Sequence, residues 1–265
     1  MKTNLVAVCL CFLLLSCASA PPASPEARTQ LAPSGKIRVA INHGNPVLAT
    51  RNPTTGELRG VAVDLGRELG HRLDLPVELV GYDTVAKLLA GLKASEWDVA
   101  FLAVDPARAG DVSFTAPYME VEVTYMVPSR SEFASVSQVD RPGVRVSVQA
   151  RNAADLFLSR ELRHASLVRA ANESGAFDLL KTGSAEAYAT NRQILLSLAD
   201  KNPEYRAVSG RFTTIPHAVG VPSARTAAAG YLRRFIEDAK ASGIVRRALD
   251  ESGIRGVVVA PAASP

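Results

Sequence analysis

The chain has 265 residues, with 30 Lys and Arg against 26 Asp and Glu, a net charge of +4, four His and three Cys. Its charges are interspersed, without the basic stripe or aromatic platform that a nucleic-acid surface needs, so no nucleic-acid partner is expected. There is no G-x-S-x-G, H-E-x-x-H, C-x-x-C or phosphate-binding glycine loop, and His43, His71, His164 and His217 are too scattered to suggest a metal site, so neither metal nor cofactor is implied.

At the start, Lys2 precedes an unbroken apolar run from Leu5 to Leu15, followed by Ser16 and Cys17. That run is too short to span a bilayer comfortably and has the layout of a secretory signal. Its end, LLSC, resembles the lipobox of bacterial lipoproteins, which implies a signal peptide over 1–17 and a lipid on Cys17. Plain secretion is the alternative: cleavage after ASA at 18–20 would leave Pro21 behind the cut, where its fixed φ suits an extended substrate poorly. Cys9 and Cys11 lie within the signal, so a mature chain starting at Cys17 has no second thiol and must fold without a disulfide. Residues 18–35 are rich in Ala, Pro and Ser and predict a semi-extended tether.

From Lys36 short strands alternate with helices. KIRVAI sets Ile37, Val39 and Ile41 on one face at period two, and LPVELVG repeats the pattern with Val77 and Leu79. Between them Asp64 predicts the cap of a helix carrying Leu65, Leu69 and Leu73, while Thr84 precedes another with Leu88 and Leu92. WDVAFLAV, 97–104, reads as a buried strand. The plan then restarts: VRVSV is a strand, Asn152 opens a helix, SLVRA is a strand, a helix follows around Phe177 and Leu180, and EAYAT is a strand before a helix through Ile194 and Leu198. YRAV and HAVGV add strands, and a long amphipathic helix with Tyr231, Leu232 and Phe235 comes near the end, before a short helix around Ile244 to Leu249. This alternation is the grammar of parallel sheets covered by helices, and the chain is long enough for two lobes.

GKIRVAI, GELRGVAVDLGRELGHRL, EWDVAFLAVDPARAGDVSFTAPY and PGVRVSVQ, in that order, resemble the family 3 extracytoplasmic solute-binding proteins that serve ABC importers of polar amino acids. The most specific piece is DPARAGDVSFTAPY, which matches the family's acid/Pro/Arg helix and its F-[ST]-x-P-Y segment. The resemblance implies an α/β, two-lobed type II periplasmic-binding-protein fold, each lobe a mostly parallel sheet, closing by two hinge crossovers over one ligand. It divides the chain into lobe 1 at 36–123 plus 218–255, lobe 2 at 128–211, hinge segments at 124–127 and 212–217, and a tail from 256.

A polar solute enclosed between lobes needs internal partners for its charges. The resemblance places Arg108 at the arginine that clamps a ligand carboxylate, a task suited to its planar fork of donors. The loop of Ala103 and Asp105 ahead of it is expected to offer backbone N–H groups, and Ala103 stands where many members carry a hydroxyl. Asn42, His43 and Asn45, in the turn after the first strand, would line the cleft mouth. In lobe 2, Arg151, Asn152 and Ala153 replace a small polar loop; Arg151 would add a second cation or turn outward, and Asn152 would contact ligand or cap its helix. Asn191 falls where the family has the carboxylate that accepts an α-ammonium group, and an amide brings no charge there. Ala62 likewise replaces an acid of the family's G-[aromatic]-D-x-D signature, and Asp64 is kept.

These residues lead us to expect a binding protein for a small carboxylate-bearing solute rather than an enzyme. It would be lipid-anchored outside the cytoplasm, monomeric, and partnered by a membrane permease. The alternative is an enzyme resembling cyclohexadienyl dehydratases, which share this fold. It would need a protonated carboxyl, and Asp155 and Glu173 are the lobe 2 acids that qualify.

Overall fold

The computed structural model describes residues 22–150 and 152–264. Cys17 and the signal segment lie outside the described residues, as does Arg151.

Strands β1 (Ile37–Asn42), β4 (Val77–Tyr82) and β5 (Val99–Ala103) form a parallel sheet in the order β4-β1-β5. Between β1 and β4 come a hairpin, β2 (Thr50–Arg51) with β3 (Leu58–Arg59), and helix α2 (Val61–Leu73); α3 (Val85–Lys93) joins β4 to β5. The period-two pattern of β1 works as expected: Ile37, Val39 and Ile41 pack with Leu65, Leu69 and Leu73 of α2, while Ala40 faces Leu88 of α3 and Trp97 on the other side. Helix α2 is capped at Gly60, not at Asp64, which lies inside its first turn. The reason is local: Gly60 has φ +130 and sits so close to Leu48 and Ala49 that only a residue without Cβ fits.

Strand β6 (Val112–Pro128) is 17 residues long and passes from one lobe to the other. Its first part pairs antiparallel with β11 (Thr213–Pro222), and β11 in turn pairs with β5. From Val123 to Met126 it pairs instead with β9 (Ala187–Asn191). Val121 belongs to the first core and Val123 to the second, and Ile215 of β11 packs against both. In the second lobe the same sheet continues as β6-β9-β7-β8, with β7 (Arg145–Gln149) parallel to both β9 and β8 (Ser166–Ala170). Helix α4 (Ala153–Glu161) covers one face through Ala154 and Leu158; α5 (Glu173–Lys181) and α6 (Arg192–Lys201) cover the other through Phe177, Leu180 and Leu195. Strand β10 (Tyr205–Ala207) adds to the far end of β6.

Helices α7 (Thr226–Ala241) and α8 (Ile244–Ser252) return to the first lobe, where Tyr231, Leu232, Phe235 and Leu249 join its core. The tail supplies β12 (Val257–Val259), paired with β6.

Over its described part, 22–35, the tether expectation is corrected. Pro25–Leu31 form helix α1, capped by Ser24, with Leu31 fully buried in the core. Backbone and side chain of Gln30 accept from Arg225 (2.7 Å) and from the Ala228 N–H (3.0 Å), and Arg28 donates to the Leu73 carbonyl at 2.6 Å. Two apolar residues suffice because they complete a surface that α7 already presents.

Candidate ligand-binding site

In an open α/β sheet, ligands bind beyond the carboxyl ends of the strands, where the order of strands reverses. In lobe 1 that point lies between β1 and β5, and in lobe 2 between β7 and β9. The expected site residues fall there: Asn42, His43 and Asn45 at and after the end of β1, Ala103, Asp105 and Arg108 at and after the end of β5, Asn152 after β7, and Asn191 as the last residue of β9.

Arg108 ends a single 3₁₀ turn, Pro106–Arg108, where a longer helix was expected. Its guanidinium folds over its own loop, donating to the Ala103 carbonyl at 2.7 Å and lying 3.6 Å from the Asp105 carboxylate. A guanidinium has five N–H groups, so this anchorage leaves donors for a ligand carboxylate. The expectation of open backbone donors in the loop is corrected in part: the Val104 N–H is taken by the Pro216 carbonyl at 2.9 Å, because β11 runs alongside.

The first turn is organised by its own amides. Asn42, 9% exposed, accepts from the Gly44 N–H at 3.2 Å, and the Asn45 side chain accepts from the Val47 N–H at 3.2 Å. Both side-chain oxygens thus shape the loop. The N–H of His43 donates to the Tyr82 carbonyl at 2.9 Å, and its half-buried imidazole covers Gly81 of β4.

Two neighbours of this region were missed by sequence reasoning. His217, 2% exposed, lies opposite Ala103 on β11, next to a register shift, with Nδ1 3.2 Å from the Ile215 carbonyl. Burial lowers its pKa to about 4; the Ile215 carbonyl works against this, and the charge of Arg108 adds to it. The imidazole is therefore neutral at ordinary pH. Thr115, from the FTAPY segment, accepts from the Val219 N–H at 3.1 Å across the same irregular stretch. A lone His in a strand carries no local sequence signal of this role.

In lobe 2, Asn152 caps α4, its oxygen accepting from the Asp155 N–H at 2.9 Å, while its Nδ2 reaches Glu173 at 3.4 Å. Glu173 also accepts from the Thr190 hydroxyl at 3.1 Å and from the Tyr188 hydroxyl. Asp155, 5% exposed, pairs with Arg169 at 2.9 Å and accepts from Ser159 at 3.1 Å. A general acid must have a proton to give, and the hydrogen bonds named here run toward both carboxylates, not from them. Asn191 precedes α6 and its side chain makes no capping bond.

The adjacent Arg192 pairs with Glu122 of β6 at 2.6 Å and donates to the Gly210 carbonyl, so it is committed to the crossover region. A cavity of 630 Å³ lies among α2, α8 and the start of α6, lined by Asp64, Arg67, Glu251 and Gln193 among others; none of the expected site residues lines it. Among the described residues no group of three or more His, Cys, Asp or Glu could hold a metal, and no helix is long and apolar enough to cross a membrane.

Two α/β lobes joined by two strands, with polar loops gathered at the carboxyl edge of each sheet, define a type II periplasmic binding protein. The chain belongs to the bacterial extracellular solute-binding proteins, family 3, whose family model matches residues 37–251. It is 23% identical over 212 residues to the ABC transporter glutamine-binding protein GlnH of Bacillus subtilis, covering 78% of this chain and 77% of that protein. The periplasmic VFT2 domain of Bordetella pertussis BvgS superposes with a TM-score of 0.65 at 21% identity, covering 86% of this chain and 99% of the domain. An ancestral cyclohexadienyl dehydratase superposes with a TM-score of 0.59 at 24% identity, covering 87% and 97%. At these identities the superpositions speak to the fold alone.

Proposed function

We propose that the chain is the extracytoplasmic substrate-binding component of an ABC importer and captures a small carboxylate-bearing solute, an amino acid or related organic acid, by closing its two lobes. The observation that carries this reading is the position of Arg108. A half-buried guanidinium, anchored by its own loop at the carboxyl end of β5, is set for the bidentate capture of a carboxylate. Residues 124–127 and 212–217 serve as the hinge, between lobe 1 at 36–123 plus 218–255 and lobe 2 at 128–211. Asn42, His43 and Asn45 form the mouth on one side, and Asn152 and Asn191 face it from the other. A ligand that touches both lobes only when they are closed shifts the equilibrium toward the closed form, which a membrane permease then reads. A lipid on Cys17 would hold this monomer close to that permease.

The test is thermal unfolding of protein stripped of carried-over ligand by unfolding and refolding, against a panel of amino acids and organic acids. A ligand at 100 times its Kd stabilises by about 2.7 kcal/mol, which raises the midpoint of a domain this size by about 5–10 °C. A selective shift of that size is expected. No shift by any compound, together with turnover of prephenate or arogenate, would move the protein to the dehydratase class.

A further inference from the structure

Strands β9 and β12 lie end to end along one edge of β6. β9, from lobe 2, ends with Asn191 opposite Val123, and β12 begins with Val257 opposite Val121. Between them the Gly256 carbonyl accepts from the Glu122 N–H at 3.0 Å. The C-terminal tail therefore meets lobe 2 at the point where β6 passes from one core to the other. The approach is close: Gly256 has φ +78, and a Cβ there would lie 2.8 Å from the Arg192 Cβ and 2.9 Å from the Gln193 nitrogen, so glycine is the residue that fits. Beside it Glu122 pairs with Arg192 at 2.6 Å and with Arg211 at 2.7 Å, next to both crossovers.

Beyond Gly256 the tail belongs to lobe 1, where the Ala260 N–H donates to the Tyr118 carbonyl at 3.1 Å and Lys240 of α7 donates to the Pro261 carbonyl at 2.7 Å. Just before Gly256, Arg255 pairs with Asp200 of α6. Asp200 stands two turns along that helix from Arg192, a distance of about 12 Å. Rotation of lobe 2 about the crossovers thus leaves Arg192 nearly in place and displaces Asp200 by the lever of α6. The cavity of 630 Å³ lies between Gln193 on one side and Asp64 and Glu251 of lobe 1 on the other, so the pair is made while the lobes stand apart on this flank.

We propose that Arg255 and Asp200 form an interlobe latch, seated at Gly256, that favours the open arrangement and sets how readily the lobes close. The tail is then a third link between the lobes, beside β6 and β11. The assignment rests on the reading of those two strands as the hinge, and not on what the cleft binds. Both partners are largely exposed, so the pair is weak and screened by salt, which suits a contact that each closure must break. A solute that closes the lobes works against this pair, and its apparent affinity is lowered by the share of protein held open.

The experiment is pulsed electron paramagnetic resonance on the ligand-free full chain carrying Cys9→Ser, Cys11→Ser and Cys17→Ser, with spin labels at Ala86→Cys and Ser174→Cys. Both label positions are exposed, in the first turns of α3 and α5, one on each lobe. Two distance populations are expected. Arg255→Ala and Asp200→Ala should each raise the ratio of short to long distances about two- to fivefold, the range of an exposed ion pair, and the double variant should add nothing further. Sodium chloride at 1 M should move the parent toward the same ratio, and this arm leaves both latch residues in place. A tail that merely braces the fold would leave the distances as they are. Two populations whose ratio ignores both substitutions and salt, or moves toward long distances, would overturn the latch and leave the hinge standing, as would a double variant whose effect is the sum of the two. A single distance, the same under every condition, would overturn the hinge reading and the latch with it.

Discussion

His217 gives the structure a pH dependence that can be worked out in advance. The unfolded imidazole takes a proton near pH 6.5, the folded one only near pH 4, because it is 2% exposed on β11 with the charge of Arg108 nearby. Between those values the unfolded chain binds more protons than the folded protein, so stability falls as pH falls through that window. Each pH unit inside it is worth about 1.4 kcal/mol, and the loss from pH 7.5 to pH 4.5 comes to about 2.5 kcal/mol. Carboxylates held low by arginines, such as Asp98 and Glu186, act in the same sense but only as pH drops below the ordinary carboxylate range. The difference between the protein and His217→Gln isolates the histidine. Urea unfolding at half-unit steps from pH 7.5 to 4.5 should show the two stability curves converging as pH falls. Parallel curves would show that His217 titrates normally and that its burial beside Arg108 is misjudged.

Arg108→Ala should weaken binding of any ligand found by about 2–5 kcal/mol, the usual cost of truncating one member of a buried charge pair, as read by calorimetry; unchanged affinity would remove the clamp. Asp98→Ala strips two half-buried arginines of their carboxylate at once, since the fully buried Asp98 takes bonds from Arg38 at 2.8 and 2.9 Å and from Arg225 at 2.8 Å. Denaturant unfolding should show a loss of about 3–5 kcal/mol, and a loss below about 1 would mean the arginines find other partners. Gly60→Ala would bring a Cβ to 2.8 Å from the Leu48 carbonyl oxygen and 2.9 Å from the Ala49 Cα at φ +130, so a loss of about 2 kcal/mol or more is expected in the same assay. Cys17→Ser should abolish incorporation of labelled palmitate in a bacterial host; an unlabelled parent chain would favour plain secretion.

Periodicity made most of the fold legible. The alternation in β1 and the stripes of α2 and α7 correspond to surfaces that are buried in the structure, and nearest-neighbour chemistry found the caps at Thr84 and Asn152. What escaped depended on distant partners. PEARTQL has too little apolar surface to predict a helix by itself, and it forms one because Leu31 and Gln30 meet α7. The cap of α2 was misassigned to Asp64 because the close approach of Leu48 to Gly60 leaves no mark on local sequence. In the site, the end-of-strand positions of Ala103 and Asn191 were readable, whereas the contacts made by Glu173 were not. Its partners Tyr188, Thr190 and Asn152 lie 15, 17 and 21 residues away, and only the sheet brings them to one edge. His217 reaches the neighbourhood of Arg108 through strand pairing alone.

Capture by closure joins the hinge strands to the site, and small-angle X-ray scattering tests both together. Protein stripped of ligand is compared with the same protein saturated by the compound that stabilises it most. The account predicts a smaller radius of gyration in the loaded protein, with Arg108→Ala remaining at the open value at the same ligand concentration. A saturated protein whose scattering matches that of the stripped one would contradict capture by closure.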